Sequence, residues 1–264
     1  MEFQQPFLMS KSGATRATAY GFSNKSVTLE GRTHVVWLDA VAEVRARTYD
    51  HAAGTWGATC HVFTGGDNHT SPTLTVDRHG HLHVVGGPHG FYRDWNQARF
   101  RWLRAAEPSS VASWTDSHDF GYNATYASMV QAPFDLDLIA YRGGEEPRSV
   151  MFQRQREMGG WTTAAELMRQ DIVPQYTHNG AQVAADRDGT VYVAAHFYNV
   201  GGADGPRRSY GVAVLRSSDR GRTWTSMAGE PLEVPVAYAE QIAVPPVGGD
   251  VRMAGLVTDS RRGV

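Results

Sequence analysis

The chain has 264 residues, 41% of them hydrophobic and 20% charged, with a formal net charge of −2 and a single cysteine, Cys60. That length can bury a sizeable core, and 7 Trp, 11 Tyr and 10 Phe supply more burial than a disordered chain carries. The composition excludes a disulfide scaffold, because Cys60 has no partner, a helical membrane span, because no apolar run approaches about 18 residues, and a duplex-binding surface, which needs a basic excess.

Helical periodicity is weak along the whole chain, and short alternating runs bounded by Gly, Asp and Pro dominate, which is the all-β pattern. In chain order, strands are predicted at Val35–Leu38, Leu82–Val85, Leu136–Ile139 and Val191–Ala194. Two of them follow an Asp-x-x-Gly turn, at Asp77–Gly80 and Asp186–Gly189. These runs are copies of one another. Thr73–Val85 aligns with Gln182–Ala194, and a degenerate copy begins at Phe134. Thr33, Leu82, Leu136, Val191 and Val251 are then equivalent positions, roughly 50 to 60 residues apart, and Trp56, Trp114, Trp161 and Trp224 mark the far end of each unit. A period of about 50 residues with several short strands predicts a β-propeller of four-stranded blades. We expect one domain over residues 1–264 holding about five blades, an incomplete seven-bladed propeller that lacks its C-terminal blades. Residues 1–10 show no basic stretch followed by an apolar one, so no signal peptide is read there.

Ser217–Trp224, in the pattern Ser-x-Asp-x-Gly-x-Thr-Trp, resembles the Asp-box of sialidase-like propellers. The resemblance implies a structural role, in which the Asp and Gly close a hairpin between outer strands and the Trp packs into the blade. Asp50–Trp56 is a partial version.

Six of the 11 histidines (His61, His69, His79, His81, His83 and His89) lie close together. His69, in Gly66–Pro72, enters a blade's inner region, and His89 follows the next strand 20 residues on. In the following blade Tyr126 and Arg142 stand 16 apart, and a blade further on His178 and His196 stand 18 apart. Polar, titratable residues thus recur where a structural blade would carry small or apolar ones. Taken singly, each has a plainer reading: His69 as a loop residue, His89 as part of a turn, Tyr126 as a core aromatic, Arg142 as the partner of Glu145 or Glu146. His81 and His83 read as structural, and Asp135 and Asp137 as serving the fold. Zinc needs three or four converging ligands, and no Cys or carboxylate is placed to complete such a set, so a structural metal ion is the lesser alternative.

The string from Asp67 to Gly90, with Asp-Asn-His-Thr-Ser-Pro and Leu-His-Val-Val-x-Gly-Pro-His-Gly, and the downstream Thr125–Ser128 and Tyr141–Gly144 resemble the BNR-repeat family that includes propeller-type ulvan lyases. The resemblance covers roughly residues 20 to 225. It implies β-elimination on a uronate-containing, rhamnose–glucuronate glycan, with His69 and Tyr126 as acid–base pair and Arg142 neutralising the carboxylate. His89, Asn68, His178, His196 and Tyr176 are implied to bind the sugar. The base is either His69 or Tyr126, and the chemistry requires no cofactor. The same resemblance implies a secreted or periplasmic enzyme, expected to be a monomer, with an anionic polysaccharide as substrate and no nucleic-acid or membrane partner. The alternatives are a rhamnosidase- or sialidase-like glycoside hydrolase and a non-catalytic carbohydrate-binding propeller.

Overall fold

The computed structural model describes residues 7–40, 42–89, 99–145, 149–156, 159–169, 177–199, 208–237, 242–244 and 255–258. All regular structure among them is β, in four sheets that follow one another along the chain. The first holds β1 (Ser26–Leu29), β2 (Arg32–Asp39), β3 (Glu43–Asp50) and β4 (Thr55–Trp56) in antiparallel order, and β5 (Cys60–Thr64) also pairs with β3. The second holds β6 (Thr73–Val76), β7 (Leu82–Gly86), β8 (Phe100–Ala105) and β9 (Trp114–Phe120). The third holds β10 (Thr125–Gln131), β11 (Asp137–Gly143), β12 (Ser149–Arg154) and β13 (Ala165–Arg169). The fourth runs through β14 (Thr177–Ala185), β15 (Val191–Asn199), β16 (Arg208–Ser217), β17 (Trp224–Thr225) and β18 (Pro231–Leu232). Two short strands extend these sheets: β19 (Val236–Ala237) crosses back to lie parallel to β13, and β20 (Ile242–Val244) pairs with β16 of the fourth.

The repeat has a local cause. Asp77 Oδ1 accepts from the backbone N–H of both His79 and His81 at 2.9 Å, with Gly80 at φ +84°. Asp186 Oδ1 accepts from the Thr190 N–H at 2.9 Å, with Gly189 at φ +88°. Each aspartate closes the hairpin between a sheet's first and second strands, and each glycine supplies a left-handed residue that L side chains avoid. Thr33, Leu82, Leu136 and Val191 accordingly fall within one residue of the start of β2, β7, β11 and β15. The fifth position, Val251, lies outside the described residues, which hold four of the expected blades.

Outer strands carry the tryptophans. Trp56, Trp114 and Trp224 lie on β4, β9 and β17, while Trp161 forms a bridge with Gln155 just ahead of β13. The turn leading into Trp224 is tied by Asp219, which accepts from the Arg222 and Thr223 N–H groups at 3.0 and 2.9 Å. Gly221, at φ +79°, leaves room there for the Phe152 ring, which a Cβ would overlap. Trp224 is buried edge-on against the same ring at 5.2 Å.

Each gap between neighbouring sheets has its own apolar filling. Val36, Leu38, Leu74, Leu82 and Val84 join the first to the second. Val85, Phe100, Trp102, Met129, Ile139 and Tyr141 join the second to the third, and Leu138, Phe152, Val193, Leu215 and Trp224 the third to the fourth. First strands β6, β10 and β14 pack side by side. Loops of successive sheets therefore converge near one another.

A buried polar network ties two of these layers together. Asp137, fully buried on β11, accepts from His83 Nδ1 of β7 at 2.6 Å, Trp102 Nε1 of β8 at 2.9 Å and Thr75 Oγ1 of β6 at 3.2 Å. The plain readings of His83 and Asp137 as structural hold. A second inward polar group, Lys25, lies just before β1. Lys25 Nζ donates to Ser71 Oγ at 2.8 Å and to the Pro72 carbonyl at 2.5 Å, and burial pushes its pKa down to about 7. With the folded value below the unfolded one near 10.5, the unfolded chain holds a proton that the folded chain has released. Stability is expected to rise with pH from about 7 to 10.5, by at most on the order of 5 kcal/mol. Urea titrations across that window should show the rise, and Lys25→Met should remove it.

Candidate active site

The loop before β6 is built around Asp67. Its Oδ1 accepts from the His69 N–H at 2.7 Å and its Oδ2 from the His89 N–H at 3.1 Å, so one carboxylate fixes the backbone of both histidines. Gly66 allows this closeness, since a Cβ there would come within 2.5 Å of Pro88. The Asp67 carboxyl is buried, which raises its pKa. The adjacent His69 ring and hydrogen bonds from both backbone amides outweigh that, and hold it below the usual carboxylate range. Asp67 is therefore ionised near neutrality, and His69 Nδ1 faces it at 3.7 Å. On the other side of that ring, Arg16 Nη1 contacts His69 Nε2. A guanidinium only donates, so Nε2 carries the lone pair and Nδ1 the proton.

The two imidazoles lie 4.5 Å apart between centroids, and His89 lies 5.4 Å from the Tyr126 ring. Tyr126 owes its direction to a bulge. Thr125 pairs with Arg142 and Ser128 with Ala140, so Tyr126 and Ala127 together face Tyr141, and Tyr126 adopts φ +59°. A left-handed tyrosine in a bulge breaks the alternation of the strand and re-aims its side chain. The result sets the Tyr126 ring over the Arg142 guanidinium at 4.8 Å. Arg142, 1% exposed, also donates from Nη2 to His89 Nε2 at 3.0 Å. Pairing with Glu145 does not occur; that carboxylate accepts from the Tyr122 hydroxyl at 3.0 Å. Glu146 lies outside the described residues.

The second and third sheets thus bring His69, His89, Tyr126 and Arg142 into one row, with Asn68 beside it accepting from Arg16 Nη1 at 3.4 Å. His196 lies on the fourth sheet, buried opposite Gly180. His178 is on β14, opposite Tyr198, and its side chain is not described; Tyr176 lies outside the described residues. Among the described residues no group of three His, Cys, Asp or Glu side chains is arranged to hold a metal ion.

Sequence reasoning missed three participants. Asp67 had a signal, since an aspartate two residues before His69 can accept that residue's N–H. Arg16 and Tyr20 precede the repeats and carry none. The half-buried Tyr20 ring covers Tyr126 at 4.7 Å, at a backbone φ of +70°.

Comparison with known proteins agrees with this architecture. The fold resembles a PL25 ulvan lyase solved with a glucuronate–rhamnose-3-sulfate repeat, with a TM-score of 0.73 at 16% identity, over 87% of this chain and 60% of that one. A second polysaccharide lyase gives a TM-score of 0.61 at 14% identity, over 91% of this chain and 62% of that one. An α-L-arabinofuranosidase from Fusarium graminearum gives 0.51 at 10% identity, over 79% and 67%. The chain spans about three fifths of the length of the two lyases. No curated protein sequence matches it. The model of the BNR repeat-containing family matches residues 32–253. With four antiparallel sheets in sequence, each packed on the next, this chain is a β-propeller protein that belongs to the BNR repeat-containing family.

Proposed function

We propose that these blades carry the acid–base centre of an extracellular polysaccharide lyase that cleaves a rhamnose–glucuronate glycan by β-elimination. The observation that carries the reading is the row His69–His89–Tyr126 with the Arg142 guanidinium lying against its far end. His69 Nε2, which holds a lone pair, takes the C5 proton of the uronate. The C5–H electron pair becomes the C4–C5 double bond, the C4–O4 bond breaks, and O4 takes the phenolic proton of Tyr126. Positive charge on Arg142 stabilises both the enediolate-like carboxylate and the phenolate that Tyr126 becomes. With Arg142 so deeply covered, a carboxylate reaches it only when side chains give way.

Hydrolysis by the usual two-carboxylate route is less well supported. It needs a pair of carboxyl groups flanking the bond, and in the described row the carboxylate is Asp67, with both oxygens occupied by backbone amides. The test is turnover of ulvan. Products with near-ultraviolet absorbance from the unsaturated uronyl end are expected. New reducing ends without that absorbance would replace this reading with hydrolysis, and affinity without any cleavage would leave a carbohydrate-binding propeller.

A further inference from the structure

The row of rings is bounded by two guanidiniums rather than one. Arg142 closes the Tyr126 end and reaches back to His89, while Arg16 closes the His69 end. Their settings differ. Arg142 is sealed within the third sheet, whereas Arg16 is half-buried at the rim. Arg16 is nevertheless held in place. The Ala14 N–H donates to the Leu38 carbonyl and the Leu38 N–H to the Ala17 carbonyl, both at 3.1 Å, so the turn bearing Arg16 is stitched to the end of β2. First, second and third sheets each contribute one side of the same site.

Arg16 has an unusual partner. Among the described residues no carboxylate pairs with it; its contacts are the His69 lone pair and the Asn68 amide oxygen. A guanidinium gains far more from an anionic oxygen, which it can grip through two N–H groups, than from a neutral imidazole. While Arg16 stays on Nε2, that nitrogen cannot accept a proton from substrate.

We propose that Arg16 is a specificity-determining residue that caps His69 in the unliganded protein and leaves it for an anionic group on the sugar adjoining the uronate. Binding of a glycan with anionic groups on neighbouring sugars then uncovers the base, and a glycan with a neutral neighbour leaves it capped. This rests on the lyase reading for the role of His69, but not for the affinity of Arg16 for the anion. The anion is a sulfate ester or a second carboxylate, and the probes separate the two.

Calorimetry on the full chain should compare a sulfated ulvan oligosaccharide, the same oligosaccharide chemically desulfated, and an oligoglucuronate with a carboxylate on every sugar. Wild type is expected to bind the sulfated form about 10-fold more tightly than the desulfated one. Arg16→Gln should bring that ratio near one, and Arg16→Lys, which keeps the charge, should retain most of it. Tight binding of the oligoglucuronate by wild type but not by Arg16→Gln would identify a carboxylate as the preferred anion. If neither anionic form gains over the desulfated one, or if Arg16→Gln leaves the ratio unchanged, the proposal is overturned. Absorbance assays on the same samples test the parent reading separately: absent unsaturated product with a charge-dependent affinity ratio would sink the lyase and keep the anion clamp. Uniform loss of turnover on every substrate with an unchanged affinity ratio would make Arg16 a support for the His69 ring instead.

Discussion

His69→Ala is expected to slow formation of unsaturated uronate by about 100- to 10,000-fold, the usual worth of a positioned general base. Glycan affinity should change little, because the ring offers one nitrogen to the substrate while Arg142 and the surrounding loops remain. The backbone N–H of residue 69 still donates to Asp67 after the substitution, so the loop and the neighbouring His89 should hold their places. A fall in kcat at near-constant KM is therefore the expected split. Retention of more than half the wild-type rate would remove His69 from the chemistry and leave Tyr126 as the candidate base. His69→Gln is the useful companion. It keeps an acceptor near the Arg16 guanidinium but cannot take up a proton, and it should be as slow as the alanine variant.

Asp137→Ala should have the largest effect on stability, about 3–5 kcal/mol, the range seen when one partner of a buried charged network is removed. Its carboxylate serves His83, Trp102 and Thr75 together, at a position with no solvent exposure. Alanine leaves these three buried donors without their acceptor, at a place closed to bulk solvent. His83 faces a second carboxylate, Asp77, at 3.5 Å, which Arg104 pairs at 3.2 Å, so that side of the ring stays supported. Urea midpoints of Asp137→Ala, of His83→Ala and of the double variant would give the coupling between the two residues. A loss below about 1 kcal/mol would show that the network contributes no more than an ordinary hydrogen bond.

Much of the fold is legible in the chain because its causes are local. An aspartate that closes a hairpin and a glycine that takes the left-handed residue act within five positions, so Asp77–Gly80 and Asp186–Gly189 announce where strands begin. The alternation of Leu82 and Val84 with His83 separates the two faces of β7, both of them buried, one against the first sheet and the other against Asp137 of the third. What joins sheets is not local. That His83 meets Asp137, 54 positions away, depends on how one blade rotates against the next, and no periodicity records it. The row of His69, His89, Tyr126 and Arg142 was readable as a set because all four occupy equivalent places in adjoining repeats. The φ of +59° that turns Tyr126 over Arg142 was not, since tyrosine gives no warning of a left-handed residue. Arg16 and Tyr20 lie ahead of the repeats, where the pattern has nothing to say.

Division of labour between sheets has a mechanical consequence. His69 and His89 hang from one carboxylate, Asp67, and so travel with the second sheet as a unit, while Tyr126 and Arg142 face each other across β10 and β11 and travel with the third. The gap between proton acceptor and proton donor is then a single coordinate, the slip of one sheet along the other. Asp137 pins that slip from below, because it belongs to the third sheet and all three of its side-chain donors to the second. The buried network works as a dowel that keeps two halves of a tool in register, and wear at the dowel would be felt at the cutting edge.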